Sequence, residues 1–398
     1  MKEIDLFFAG QGQIKHFLKQ EHKALEQRYR FTKVFLGMQE EKAFSCLQGF
    51  VPENNIALVV NLAKENKTGY LIETPKDTAE IPTLIKNPKW INIINPVFKL
   101  MNTLPGYEEW DISFFFLVFF SMFFAMLIGD AGYGALFIIS TFFIQQKFRK
   151  MPQEPLYLMY VLGFCTVIWG AITGTWFGVE KIAQAPVFNL LVVNKINSFI
   201  DTNQNFMIYI CFIIGIAHLT IAHLLKAARI INSIKVFSEI GWILIIWGLF
   251  FTAGTLVINN PFPSLALYML VAGALFVLFF TNPQKNILKS ALSGLANLPL
   301  SIISTFSDVV SYLRLFAVGY ASLILATSFN DMAMQAGFGG FFSSLLAALI
   351  LFIGHLLNIV LGFMAVIVHG VRLNMLEFAG QLGMEWTGKK YAPFHEEE

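Results

Sequence analysis

LSIISTFSDVVSYLRLFAVGYASLILATSF (Leu300–Phe329) and GHLLNIVLGFMAVIVHGVRLNMLEFAG (Gly354–Gly380) decide how this chain is read. Each is long enough to cross a bilayer, and each carries one arginine, Arg314 and Arg372. Arginine is not neutralised in proteins, and a charge at bilayer depth costs at least roughly 2.5–3.5 kcal/mol. A chain that carries this cost twice uses the charge, and intramembrane charges commonly mark ion paths.

The rest of the composition agrees with a membrane protein. Of 398 residues, 56% are hydrophobic and only 14% charged, against about a quarter charged in soluble domains. Forty-two phenylalanines fit a lipid-facing surface and call for no cofactor. The net charge of +2 and the lack of a basic run give no footing for nucleic acid. Cys46, Cys165 and Cys211 form neither a disulfide framework nor a metal-ligand spacing. The N-terminus lacks the cationic and apolar regions of a signal peptide, so the first segment is expected to stay in the cytoplasm.

Working outward, composition changes near Asp111. Residues 1–110 read as a cytoplasmic segment, 111–380 as a transmembrane domain and 381–398 as a cytoplasmic tail. Gln13–Glu41 predicts a helix with a charged face. Phe44–Pro52 and Ala57–Leu62 predict short strands, Asn66–Gly69 a turn, and Pro82–Glu109 a linker. The first segment is thus expected to be a small α/β unit. Beyond it lie eight apolar segments: Ile112–Ile128, Ala131–Ile144, Pro155–Phe177, Phe206–Leu225, Val236–Ile258, Pro263–Thr281, Leu300–Phe329 and Phe341–Phe378. The predicted fold is mainly α, a polytopic membrane protein of eight transmembrane helices with the last two long and tilted. The first two share the tight GDAGYG turn and form a hairpin.

Loop charges orient the chain. With a cytoplasmic N-terminus, the inside carries Lys147, Arg149, Lys150, Lys226, Arg229, Lys235, Lys285, Lys289, Lys389 and Lys390. The outside carries only Lys181 and Lys195. Both termini are therefore expected in the cytoplasm.

At about 100° per residue, Ser304, Ser307, Asp308, Ser311, Arg314 and Ser322 share one face of the seventh span. His355, Asn358, His369 and Arg372 share one face of the eighth, together with Gly362 and Ala365. Serines and Asn358 alone suit helix–helix contacts. The arginines need more, because the spans offer few acids: Asp308, Glu239 and Glu377. A cation without a resident partner suits a carboxylate arriving on another chain. At about 4 Å and an effective dielectric near 20, such charges attract by roughly 4 kcal/mol, enough to keep the visitor ionised. Glu239 and Glu377 either line an ion path or sit at the interface, Glu239 then pairing with Lys235. Asp130 reads as a turn residue. His218 and His223, five apart, do not share a face and suit interior polar contacts better than metal ligation.

SYLRLFAVGYA (Ser311–Ala321) and HGVRLNMLEF (His369–Phe378) resemble the last two helices of the membrane stator subunit of rotary V/A-type ATPases, subunit a or I. FFFLVFFSMFFAMLIGDAGYGALFI (Phe114–Ile138), IPTLIKNP (Ile81–Pro88), GYEEWD (Gly106–Asp111), GHLLN (Gly354–Asn358) and Pro393–Phe394 are similar to the same family. The resemblance implies a non-catalytic subunit of an ion-translocating ATPase. Arg314 would face the carboxylate of a proteolipid rotor ring, with Arg372 as its partner. Ser307, Ser311, Ser322, His355, Asn358, His369, Glu239 and Glu377 would line ion half-channels. The implied partners are the ring, peripheral-stalk subunits, the catalytic head and membrane lipid; the short loops and compact helix set suit a prokaryotic plasma membrane. No cofactor is implied, and H⁺ and Na⁺ both remain open. Some members have a histidine where Ser322 stands and an acid where Gly362 stands, so their ion path does not transfer. The family's cytoplasmic domain is much longer than 110 residues, so the chain reads as a shortened form. A secondary transporter binding an anionic substrate is the rival; it predicts repeats and broken helices in both halves, and no repeat is visible. A purely structural scaffold predicts intramembrane charges paired within the chain.

Overall fold

The computed structural model describes residues 2–41, 44–281 and 287–392. Lys285, Pro393 and Phe394 lie outside the described residues, and only the backbone of Lys289 is described. The chain divides into two compact units, Met1–Leu84 with Gly106–Glu108 and Thr387–Glu398, and Ile85–Pro105 with Glu109–Trp386.

In the first unit, helix α1 spans Lys2–Leu36, starting earlier than expected and ending at Gly37. Gln39–Glu41, expected to be helical, is instead strand β1, antiparallel to β2 (Phe44–Cys46) with Glu40 opposite Ser45. Beyond Cys46 the expected strand has no ladder. Ala57–Leu62 is not a strand at all but part of helix α2, Ile56–Glu65. Its sheltered residues Ile56, Val59, Val60 and Ala63 recur with the helical period. The β-branched content had suggested a strand, and the 3.6-residue spacing prevails. A two-residue strand, β3 (Pro82–Thr83), pairs in parallel with β4 (Lys389–Lys390). The N-terminal segment and the tail therefore share one unit, while the expected linker contributes short helices α3 (Lys89–Asn92) and α4 (Asn95–Met101) to the second unit.

The second unit is helical. Helix α5 (Ser113–Ile128) is sheltered nearly all round, with Phe116, Phe120, Phe123 and Phe124 buried. A helix apolar on every face belongs in the interior, and the core forms around this one. The chain turns through 119° into α6 (Ala131–Lys147). Asp130 makes that turn: its carboxylate accepts from the N–H groups of Gly132 and Tyr133 at the start of α6. It also accepts from Phe177 and Gly178, 2.9 and 3.0 Å away, in the loop after α7 (Gln153–Thr173). Gly170 lets α7 lie against the Ala131 backbone, where a Cβ would overlap it.

Helices α8 (Gln204–Arg229), α9 (Val236–Ile258) and α10 (Ser264–Phe280) follow. Helices α9 and α10 meet at Gly241 and Gly273, small residues that let membrane helices approach closely. Helix α11 (Ile287–Ser311) and helix α12 (Leu313–Ala336) form one apolar stretch interrupted at Tyr312. Helix α13 (Phe341–Ala365) continues through π-helical turns at Val366–Gly370 and Leu373–Phe378 into α14 (Ala379–Leu382).

A helix stands at each of the eight expected apolar stretches. By length and hydropathy five of them are candidate spans, or up to six if the bent α5–α6 pair is one; α10 is short, at 17 residues. The last two candidates, Leu298–Ala336 and Phe341–Leu382, have 39 and 42 residues. At 1.5 Å per residue each is about 60 Å long, twice a bilayer's apolar thickness.

Candidate functional site

Arg314 opens α12 just beyond the break at Tyr312. Packing holds that break: the Tyr312 ring lies against Gly215, and its hydroxyl sits 2.9 Å from Nδ1 of buried His218. The His218 ring is stacked between Phe119 and Phe378, with centroids 3.9 and 4.3 Å away.

Arg314 donates from Nη2 to Glu377 Oε1 at 2.9 Å and from Nε to the Ser311 carbonyl at 3.1 Å. The Ser311 hydroxyl donates to the same Glu377 oxygen at 2.9 Å. Arg372 Nε lies 3.9 Å from it. Glu377 is 3% exposed, whereas the side chains of Arg314 and Arg372 are 24% and 54% exposed. Arg314 therefore has a resident partner, and the expectation of an unpartnered cation is corrected.

The reason lies in the π turn. On an α-helix, Glu377, five residues past Arg372, faces away from it. The i→i+5 ladder of Leu373–Phe378 widens the turn and brings the carboxylate under the arginines. Beside this cluster, Gln381 donates to Asp308 at 2.6 Å. Glu377 Oε2 and Asn374 Oδ1 are buried without a hydrogen-bond partner, as is His369 Nδ1. Ser304 and Ser307 are exposed.

A second network, uncharged, joins α6, α12 and α13. The Tyr133 hydroxyl lies 2.7 Å from His355 Nδ1 and accepts from Asn358 Nδ2 at 3.1 Å. Ser322 donates to Asn358 Oδ1 at 3.0 Å, and Asn358 returns a bond to the Ser322 carbonyl. His355 Nε2 meets Asn330 Oδ1 at 3.2 Å, and Asn330 donates to the Phe177 carbonyl. Tyr133 and Asn330 were missed by sequence reasoning. Tyr133 stood in GDAGYG as part of a signature, and Asn330 lay one residue beyond the expected span. A small cleft of about 40 Å³ reaches Tyr133 and Ser322, with Gln204 bonded to Tyr320 among its lining residues.

Glu239 belongs to neither network. It is buried at the start of α9 and pairs with His223 at 2.8 Å and Lys226 at 3.2 Å on α8. The expected pairing with Lys235 is replaced by these contacts, because the first turn of α9 points Glu239 toward α8. Among the described residues no group of three or more His, Cys, Asp or Glu is placed to hold a metal ion.

Long apolar helices around a buried, hydrogen-bonded ion pair define a membrane protein that keeps charge inside its helical layer. No protein-family model matches the chain. It is 36% identical over 395 residues to V-type ATP synthase subunit I of Borreliella burgdorferi, across 95% of this chain and 64% of that protein. V-type ATP synthase subunit I 1 of Treponema pallidum is 33% identical over 362 residues, 88% of this chain and 58% of the relative. A-type ATP synthase subunit I of Methanocaldococcus jannaschii is 27% identical over 384 residues, 87% and 54% respectively. The chain belongs to the V/A-type ATPase subunit a/I family. It spans about three fifths of the length of these relatives.

Proposed function

We propose that this chain is the membrane stator of a rotary V/A-type ATPase, coupling the passage of H⁺ or Na⁺ to rotation of a proteolipid ring. The observation that carries the reading is Arg314 itself. It sits in an apolar stretch with its side chain partly exposed, and Ala317, Ala321, Ile324 and Ser328 continue its face, also exposed. Small residues along a face let another helix come close, so a carboxylate on a neighbouring chain could reach the guanidinium.

In this reading the eight apolar helices all cross, both termini are cytoplasmic, and the membrane is a prokaryotic plasma membrane. Residues 111–380 form the membrane domain, and residues 1–110 and 381–398 meet the peripheral stalk that links it to the catalytic head. The Ser322–Asn358–Tyr133–His355 network and its cleft line one half-channel. Ser307, Ser311, His369 and Glu377 line the other, with Glu239 near its mouth. Arg314 separates them, because a cation passing a fixed positive charge is repelled. No ATP chemistry occurs on this chain.

The test is ATP-driven ion uptake into vesicles carrying the assembled complex, followed by a pH-sensitive dye and, in parallel, by radioactive sodium. With Arg314→Gln, assembly is retained and uptake of both ions is lost. Uptake at the wild-type rate would overturn the reading.

A further inference from the structure

We infer that Glu377 is the exchange partner of Arg314: the guanidinium rests on Glu377 and leaves it for the rotor carboxylate, while Arg372 takes over Glu377. The inference rests on the stator reading above and adds to it a role for two residues.

Three observations carry it. One oxygen of Glu377 serves Arg314, Ser311 and Arg372, at 2.9, 2.9 and 3.9 Å. The other oxygen is buried and has no partner, so the carboxylate has an unused acceptor. The arginines differ: Arg314 makes the close contact, while Arg372 hangs back, half exposed, one short movement from it.

Two cations thus stand within 3.9 Å of the one carboxylate they share, Glu377, while the Asp308 carboxylate beside them is held by Gln381. The shared anion is the group over which the two cations can exchange. When a rotor carboxylate arrives, Arg314 can pair with it, and Arg372 closes on Glu377. Each arginine then has a carboxylate of its own, and no carboxylate is left buried alone. When the rotor carboxylate takes up its ion and is neutralised, Arg314 returns to Glu377 and Arg372 falls back. The exchange makes and breaks no covalent bond. Glu377 is here a positioning residue, because it acts through Arg314. The π turn gives Glu377 backbone that is not locked into an α ladder.

The experiment uses the assembled complex in vesicles, measuring ion uptake per ATP hydrolysed with the dye and with radioactive sodium. Glu377→Gln keeps the shape and removes the charge; uptake is expected to fall about tenfold or more. Glu377→Asp restores most of it. Arg372→Gln alone lowers uptake, because Glu377 then holds Arg314 without relief. Added to Glu377→Gln, the same change lowers uptake less than about twofold, since the anion it served is gone. Wild-type uptake with Glu377→Gln, or an Arg372→Gln loss undiminished in the Glu377→Gln background, overturns the exchange. Should Glu377→Gln not assemble, Arg372→Gln alone decides: loss with intact assembly supports the exchange, and normal uptake overturns it. Arg314→Gln separates the two claims. If that variant pumps normally the stator reading fails, whereas if it is dead while Glu377→Gln and Arg372→Gln pump normally only the exchange fails.

Discussion

The same two helical stretches, α11–α12 and α13–α14, carry two polar regions built on opposite rules. In the side-chain network of Tyr133 no member is an acid, a lysine or an arginine, and the polar atoms of Tyr133, His355, Asn358, Ser322 and Asn330 all find partners. Around Glu377 the groups are charged, and buried oxygens on Glu377 and Asn374 are left over. A complete neutral network holds one arrangement, since any movement breaks bonds without replacement. An incomplete charged one leaves acceptors ready for a new partner. The first region is built to stay and the second to change.

The largest test of that contrast is removal of both cations. Arg314→Leu with Arg372→Leu leaves Glu377 buried and alone, and a loss of about 3–5 kcal/mol is expected in denaturant unfolding of the detergent-solubilised chain. Arg314→Leu alone should cost distinctly less, because Arg372 remains 3.9 Å from the carboxylate. Equal losses from the single and the double change would remove Arg372 from the site.

Next in size is Asp130→Ala, outside both regions. It strips the acceptor from four backbone N–H groups, and a buried donor without an acceptor costs about 1–3 kcal/mol. A total of at least about 3 kcal/mol is expected by the same unfolding measurement. A change under about 1 kcal/mol would mean that the hairpin turn does not need this carboxylate.

Within the neutral network, Tyr133→Phe should cost about 1–3 kcal/mol, because His355 and Asn358 both lose a partner. Ser322→Ala is the smallest change, about 0.5–1.5 kcal/mol for one hydrogen bond. If Tyr133→Phe proved as costly as losing both arginines, the two regions would not differ in kind.

Much of the architecture was legible in advance. Apolar runs mark membrane helices strongly, so all eight stretches coincide with helices, and the shared GDAGYG turn does bend the first pair. The first unit was less legible. IALVVNLA carries strand-forming residues at helical spacing, and the spacing prevails only where one face is sheltered. In the site, Arg314, Arg372, Ser311 and Glu377 were each identifiable as polar groups in apolar surroundings. Their grouping was not, because the projection assumed an unbroken α-helix through Leu373–Phe378.

By itself the sequence determined that charge is carried into apolar helices and which residues carry it, since the cost of burying an ion depends on residue type. Only the tertiary structure decided who pairs with whom. A π turn rotates Glu377 onto the side of the arginines, Arg314 meets it from a stretch 63 residues earlier, and Tyr133 reaches two residues more than two hundred positions away. Such pairings depend on backbone register and helix packing, which are set by the whole fold and written in no single segment.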